Sequence, residues 1–139
     1  MVGILLVTHN GLGNSLLDCV RHVLGEVPAH LRSLSVLETD DPDSKEAEGR
    51  ALIAALDQGD GVLLLSDMFG ATPSNIARRL CKTSHVKGVA GVNLPMLLRA
   101  ACCDRPLEEL AQRALDGGRE CIVYMDSEHC YAPKGCADH

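Results

Sequence analysis

The chain alternates between short, unbroken apolar runs and longer stretches in which apolar residues recur every three or four positions. Val2 to Thr8, Ser33 to Leu37, Val62 to Ser66 and Val86 to Ala90 are short, mostly branched runs without strict alternation. That is the pattern of strands buried on both faces, as in a parallel sheet. Leu16, Leu17, Val20, Val23 and Leu24 make one helical stripe, and Ala47, Ala51, Leu52 and Ala55 make a second. A third helix is predicted from about Pro73 to Cys81 and a further helical piece from Leu94 to Ala101. Leu107, Leu110, Ala111, Ala114 and Leu115 define a last helix, predicted to stop at Gly117 and Gly118, after which Cys121 to Met125 reads as a fifth strand.

Strands alternating with helices imply right-handed crossovers and an α/β fold: a doubly wound three-layer sandwich with a mainly parallel sheet. Ligands of such sheets bind at the carboxyl ends of the strands, where the strand order reverses, so functional residues are expected just past each strand. No internal repeat or dividing linker is present. Residues 1–125 read as one domain, and residues 126–139 lack an apolar period and read as a flexible tail.

A length of 139 residues with 46% hydrophobic content fills one core between helical layers. A net charge of −6 and 2% aromatic residues argue against nucleic acid, which asks for a basic face and stacking platforms. Met1 leads directly into the first apolar run with no basic segment before it, so that run reads as a strand rather than a signal peptide, and it is too short to span a bilayer. Seven cysteines, an odd number with several inside predicted elements, point to a reduced, cytoplasmic chain.

Past the strands lie T-H-N-G-L-G at 8–13, E-T-D-D at 38–41, D-M-F-G-A-T-P-S-N at 67–75 and N-L-P at 93–95. His9 follows an apolar strand and precedes a glycine-containing loop, which directs its imidazole toward an open crevice. Taken alone, such a histidine often only bonds a loop carbonyl. Asp67 shifts the balance, because the first and third strands are commonly neighbours across the switch point of this fold class. A carboxylate accepting one ring N–H fixes the tautomer and leaves the other nitrogen as a lone-pair nucleophile, which makes the pair a phosphoryl acceptor. Thr72 is predicted to cap the third helix with Pro73 at its first position; the same helix start, with the Thr72 hydroxyl, suits a phosphate.

Other features have simpler readings. The acidic residues 40–50 complement the start of the second helix. Gly11 and Gly13 are half of a dinucleotide fingerprint with Glu38 near the position of a ribose-binding acid, but Leu16 stands where the third glycine belongs. Phe69, the only phenylalanine, either anchors a partner or tucks onto its own core. His22, His30 and His85 read as surface histidines. Cys102 and Cys103 read as helix packing, and His129, Cys130, Cys136 and His139 fit no zinc spacing, so no metal site is expected.

Taken together, the motifs GILLVTH at 3–9, GVLLLSDMFGATPSN at 61–75, VAGVNLPML at 89–97 and GGRE at 117–120 give the chain a resemblance, from residue 1 to about 125, to the mannose-type enzyme IIA components of the bacterial phosphoenolpyruvate-dependent sugar phosphotransferase system. The resemblance implies that His9 is the phosphorylated histidine, on its far ring nitrogen, with Asp67 on the near one and Thr72 beside the phosphoryl group. Asn10, Gly11, Gly70 and Ala71 would form the phosphate cradle, and Met68 and Phe69 would meet partner proteins. It implies a phosphotransferase without metal or organic cofactor, accepting from the histidine phosphocarrier protein and donating to an enzyme IIB component. It also implies a homodimer in which the last strand crosses to the partner's sheet. Asn10 stands where many members have glycine, and Ala71 replaces the second glycine of a usual pair, so the cradle is expected to differ in detail. With no IIB segment following, the acceptor is expected to be a separate protein. A regulatory relay without transport, or service to dihydroxyacetone kinase, remains an alternative role for the same chemistry.

Overall fold

A computed structural model describes residues 1–83 and 85–126 of the chain. Its elements run β1 (Gly3–His9), α1 (Leu12–Leu24), β2 (Leu31–Val36), α2 (Pro42–Leu56), β3 (Val62–Ser66), α3 (Thr72–Leu80), β4 (Val86–Ala90), α4 (Leu94–Cys102) and α5 (Leu107–Glu120). All pairings are parallel and the strand order is β2-β1-β3-β4. Each strand therefore returns through a helix, as the alternating pattern requires. The order reverses between β1 and β3, which pair directly, so the predicted adjacency of strands one and three is present.

The unbroken apolar runs fill both faces of the sheet. On one face Ile4, Leu6, Leu63 and Leu65 pack with Val20 of α1, Leu97 of α4 and Ala114 of α5. On the other, Leu5, Val7, Leu34 and Leu64 pack with Leu56 of α2 and Ile76 of α3. These are the two interfaces of a three-layer sandwich, and Ile4 through Val7 have no exposed surface. Truncating any of these leucines to alanine costs about 2–5 kcal/mol. The stripe on α1 is only partly covered: Val20 is buried, but Val23 and Leu24 are exposed.

Local chemistry sets the helix ends. Asp41 accepts from the Ser44 backbone N–H with Pro42 next in the chain, so the acidic segment does start α2. Asn93 caps α4 by accepting from Met96 N–H at 3.0 Å, and its amide donates to Gly118 O at 3.0 Å, tying α4 to α5.

Three sequence expectations need correction. The last helix does not stop at Gly117 and Gly118 but continues to Glu120; the glycines are needed where α4 passes, because a Cβ on Gly118 would lie 2.7 Å from Met96 Cε and one on Gly117 2.9 Å from Arg99 Cδ. Thr72 is not the cap of α3 but its first residue, with extended Ala71 before it and no side-chain cap. His30 is not a surface histidine: it is partly buried, with Nε2 3.2 Å from Ala101 O. Cys121 to Met125, expected as a strand exchanged with a partner, has no strand partner in the single chain, where Ile122, Val123, Tyr124 and Met125 are exposed. His129, Cys130, Cys136 and His139 lie outside the described residues. Among the described residues, no helix is long and apolar enough to cross a membrane, and no group of three metal-ligating side chains occurs.

Candidate functional site

The carboxyl ends of β1 and β3 place His9 and Asp67 side by side. His9 is the last residue of β1, and Asp67 follows Ser66, the last residue of β3. Asp67 Oδ2 lies 2.8 Å from His9 Nδ1 and also accepts the His9 backbone N–H at 3.1 Å, while Oδ1 accepts the Met68 N–H at 3.0 Å. Asp67 is held on both oxygens and its side chain is only 12% exposed, against 43% for His9. Burial alone would push the Asp67 carboxyl up, but the hydrogen bonds from the His9 ring and backbone, with the charge of His9, outweigh it and hold the carboxyl below its usual range. Because an ionised carboxylate only accepts, Nδ1 carries a proton, and in the neutral form of the ring the lone pair is on Nε2. Nε2 has no partner among the described residues.

The loop after His9 is built for a close turn. Asn10 has φ +47°, the left-handed region that glycine enters freely and asparagine tolerates best. This explains how asparagine stands where glycine is usual. Gly11 precedes α1, and Gly13 donates its N–H to the buried Thr8 hydroxyl at 2.9 Å. A Cβ at Gly13 would lie 2.3 Å from Ser33 Oγ and 2.8 Å from Thr8 Oγ1, so this glycine lets the start of α1 sit directly on β1 and β2. The second glycine of the G-x-G pattern thus has a packing cause, whereas a Cβ on Gly11 would meet nothing within 4 Å.

Across from His9, Gly70 has φ +88° and donates to Ser74 Oγ at 2.8 Å, whereas Ala71 is extended at φ −92°. The position taken by alanine needs no positive φ. An open cavity of about 550 Å³ is lined by His9, Asn10 and Thr72, with Leu37, Glu38 and Asp40 from the end of β2 and the loop beyond it. Gly11, Gly70 and Ala71 are not among its lining residues. Asp40 is engaged locally, accepting the Leu37 N–H at 2.7 Å with Lys45 3.6 Å away.

Met68 and Phe69 are 57% and 72% exposed, so Phe69 does not tuck onto the core; the Arg78 guanidinium sits 5.6 Å from its ring centroid. Sequence reasoning missed Leu37 and Leu12, also exposed and likewise at the carboxyl edge of the sheet. The apolar pattern makes Leu37 the last residue of a strand that in fact ends at Val36, and Leu12 is the first residue of α1, four residues before Leu16.

The family model described as the PTS system fructose IIA component, EIIA-man, matches residues 3–115. The mannose-specific EIIAB components of Escherichia coli K12 and Shigella flexneri are 32% identical over 131 residues, 91% of this chain but 40% of theirs. The chain thus spans less than half the length of these relatives. Among solved structures, the mannose/sorbose-specific IIA subunit of Enterococcus faecalis superposes with a TM-score of 0.81 at 23% identity, covering 91% of this chain and 96% of that one. The IIA protein associated with the fucose utilization operon of Streptococcus pneumoniae gives 0.69 at 25% identity, covering 84% and 93%. A family match over most of the chain and this fold together lead to one conclusion: the chain belongs to the mannose-type enzyme IIA family of the phosphotransferase system.

Proposed function

We propose that the protein is a cytoplasmic phosphoryl carrier that takes a phosphoryl group onto Nε2 of His9 from the histidine phosphocarrier protein and hands it to an enzyme IIB component. The observation that carries this reading is the 2.8 Å contact between His9 Nδ1 and Asp67 Oδ2, which leaves Nε2 as the free nucleophile on an accessible ring. In the forward step the Nε2 lone pair attacks phosphorus in line as the N–P bond of the donor phosphohistidine breaks, and the donor imidazole leaves with that electron pair. The His9 ring gains positive character and keeps its Nδ1 proton, and the Asp67 carboxylate beside it offsets that charge.

The phosphoryl oxygens lie toward Thr72 and the uncapped start of α3, with the backbone amides of Gly11 and Ala71 adding donors. Positioning and electrostatics supply the catalysis, without a metal or organic cofactor. Exposed Met68 and Phe69, with Leu12 and Leu37, provide an apolar rim for docking partner proteins.

The reading includes a homodimer. Among the described residues nothing pairs the outer edge of β4, and the segment from Cys121 to Met125 is apolar and exposed in the single chain. Pairing this segment of one copy along β4 of another removes both liabilities at once.

The test is transfer in both directions. With labelled phosphoenolpyruvate and the general donor proteins, the chain should take up label only when the histidine phosphocarrier protein is present, and should lose it to a purified mannose-type IIB domain. Uptake without that donor, or none at all, contradicts the proposal.

A further inference from the structure

Ser66 is buried at 3% exposure one residue ahead of Asp67, and its hydroxyl has no hydrogen-bond partner. A buried hydroxyl without a partner is unfavourable, so something polar is wanted there. Ser66 lines a mainly apolar cleft of about 270 Å³ between α3 and β4, with Leu64 and Ala77 in its walls and Phe69 and Arg78 also lining it. The β4 residues that line the cleft are Gly88, Val89 and Ala90, of which Gly88 and Ala90 have little or no side chain to fill it. It opens beside the outer edge of β4, which no described strand pairs.

The residues that would lie along that edge are the exposed Ile122, Val123, Tyr124 and Met125. Alternate residues of a strand face opposite sides, so Ile122 and Tyr124 share one face and Val123 and Met125 the other. Of these four side chains only that of Tyr124 carries a hydroxyl, which both donates and accepts. From a strand added beside β4 to β3 is two strand spacings, about 9.5 Å, which a tyrosine side chain and a hydrogen bond bridge where an isoleucine does not. Ala90, the register neighbour of Ser66 on β4, has only a methyl group for a ring to pass over, and the Cys81 sulfur, which fills the space above Gly88, is a favourable aromatic neighbour.

We propose that Tyr124 of a second copy enters the α3–β4 cleft and hydrogen-bonds the Ser66 hydroxyl, which turns Val123 and Met125 toward Ala111 and Leu115 of α5. This rests on the strand-exchanged dimer proposed above and fixes which face of the exchanged strand meets which helix. The partner subunit's Tyr124 then supports the residue preceding Asp67 and packs beside Phe69, so the β3–α3 loop carrying half of the site is completed by the second copy.

Sedimentation equilibrium on the full chain tests the seating. Tyr124→Phe and Ser66→Ala should each raise the dimer dissociation constant about tenfold, and the double variant no more than either single one. Tyr124→Ala should raise it about a hundredfold or more. If deleting residues 121–139 dissociates the dimer while Tyr124→Phe and Tyr124→Ala leave it intact, the exchange stands and the seating is wrong. Additive effects of the two conservative variants overturn the Ser66 contact. A monomeric wild-type chain overturns both the seating and the exchange, and one with a shielded Tyr124 shows the segment folded onto its own β4.

Discussion

One oxygen of Asp67, Oδ2, holds His9 twice, through the ring at Nδ1 and through the backbone N–H. The carboxylate thus fixes the tautomer and the position of the ring together. Asp67→Asn keeps the volume but presents an amide that can mispair with the ring and cannot offset its charge. We expect a folded protein whose phosphoryl uptake is slowed about a hundredfold or more, measured by rapid quench. Because the Asp67 carboxyl titrates below its ordinary value of about 3.9, its contribution to stability is complete above that pH and is lost as pH falls through the lower folded value. Acid titration of unfolding should show this loss in the wild type and not in Asp67→Asn.

The turn at Asn10 gives a second expectation. At φ +47° a β-branched residue is strained, whereas glycine is at ease. Asn10→Val should lower stability in urea by about 1–2 kcal/mol, and Asn10→Gly should change it little.

Gly13 gives a third. The Cβ of Gly13→Ala meets Ser33 Oγ and Thr8 Oγ1 at distances no packed carbon tolerates, and should cost about 1–3 kcal/mol. Ser33 Oγ is buried without a hydrogen bond, so Ser33→Ala alone should be neutral or stabilising. Combined with Gly13→Ala, it should restore part of the loss in thermal melts; purely additive melting shifts would show that the serine is not the obstacle.

His30 gives a fourth. Burial pushes its imidazole below the ordinary value of about 6.5, against the raising effect of the Ala101 carbonyl. The unfolded chain therefore takes up the proton first, so stability is complete above about pH 6.5 and falls as pH drops through the lower folded value. His30→Gln should flatten the stability profile across that acidic window, and an unchanged slope would assign it to another group.

Much of this was legible in the residues themselves. The buried strands announced themselves because parallel sheets covered on both sides need unbroken apolar runs, as in Val62 to Ser66, whose bounds agree with the structure. His9 and Asp67 were legible because strand order in this fold class brings two distant strand ends together. What stayed hidden depended on contacts between elements. Gly117 and Gly118 look like a helix stop in one dimension and are a helix crossing in three. His30 carries no local sign that Ala101 will reach it. Cys121 to Met125 has strand composition, but a strand is defined by its neighbour, which the single chain does not supply.

The most direct test of the central claim is to locate the phosphoryl group. After phosphorylation by the donor proteins, phosphorus NMR and peptide mapping at alkaline pH should find one acid-labile phosphoryl group per chain, on Nε2 of His9, and His9→Ala should take up none. Label on another residue, on Nδ1, or undiminished in His9→Ala would contradict the account.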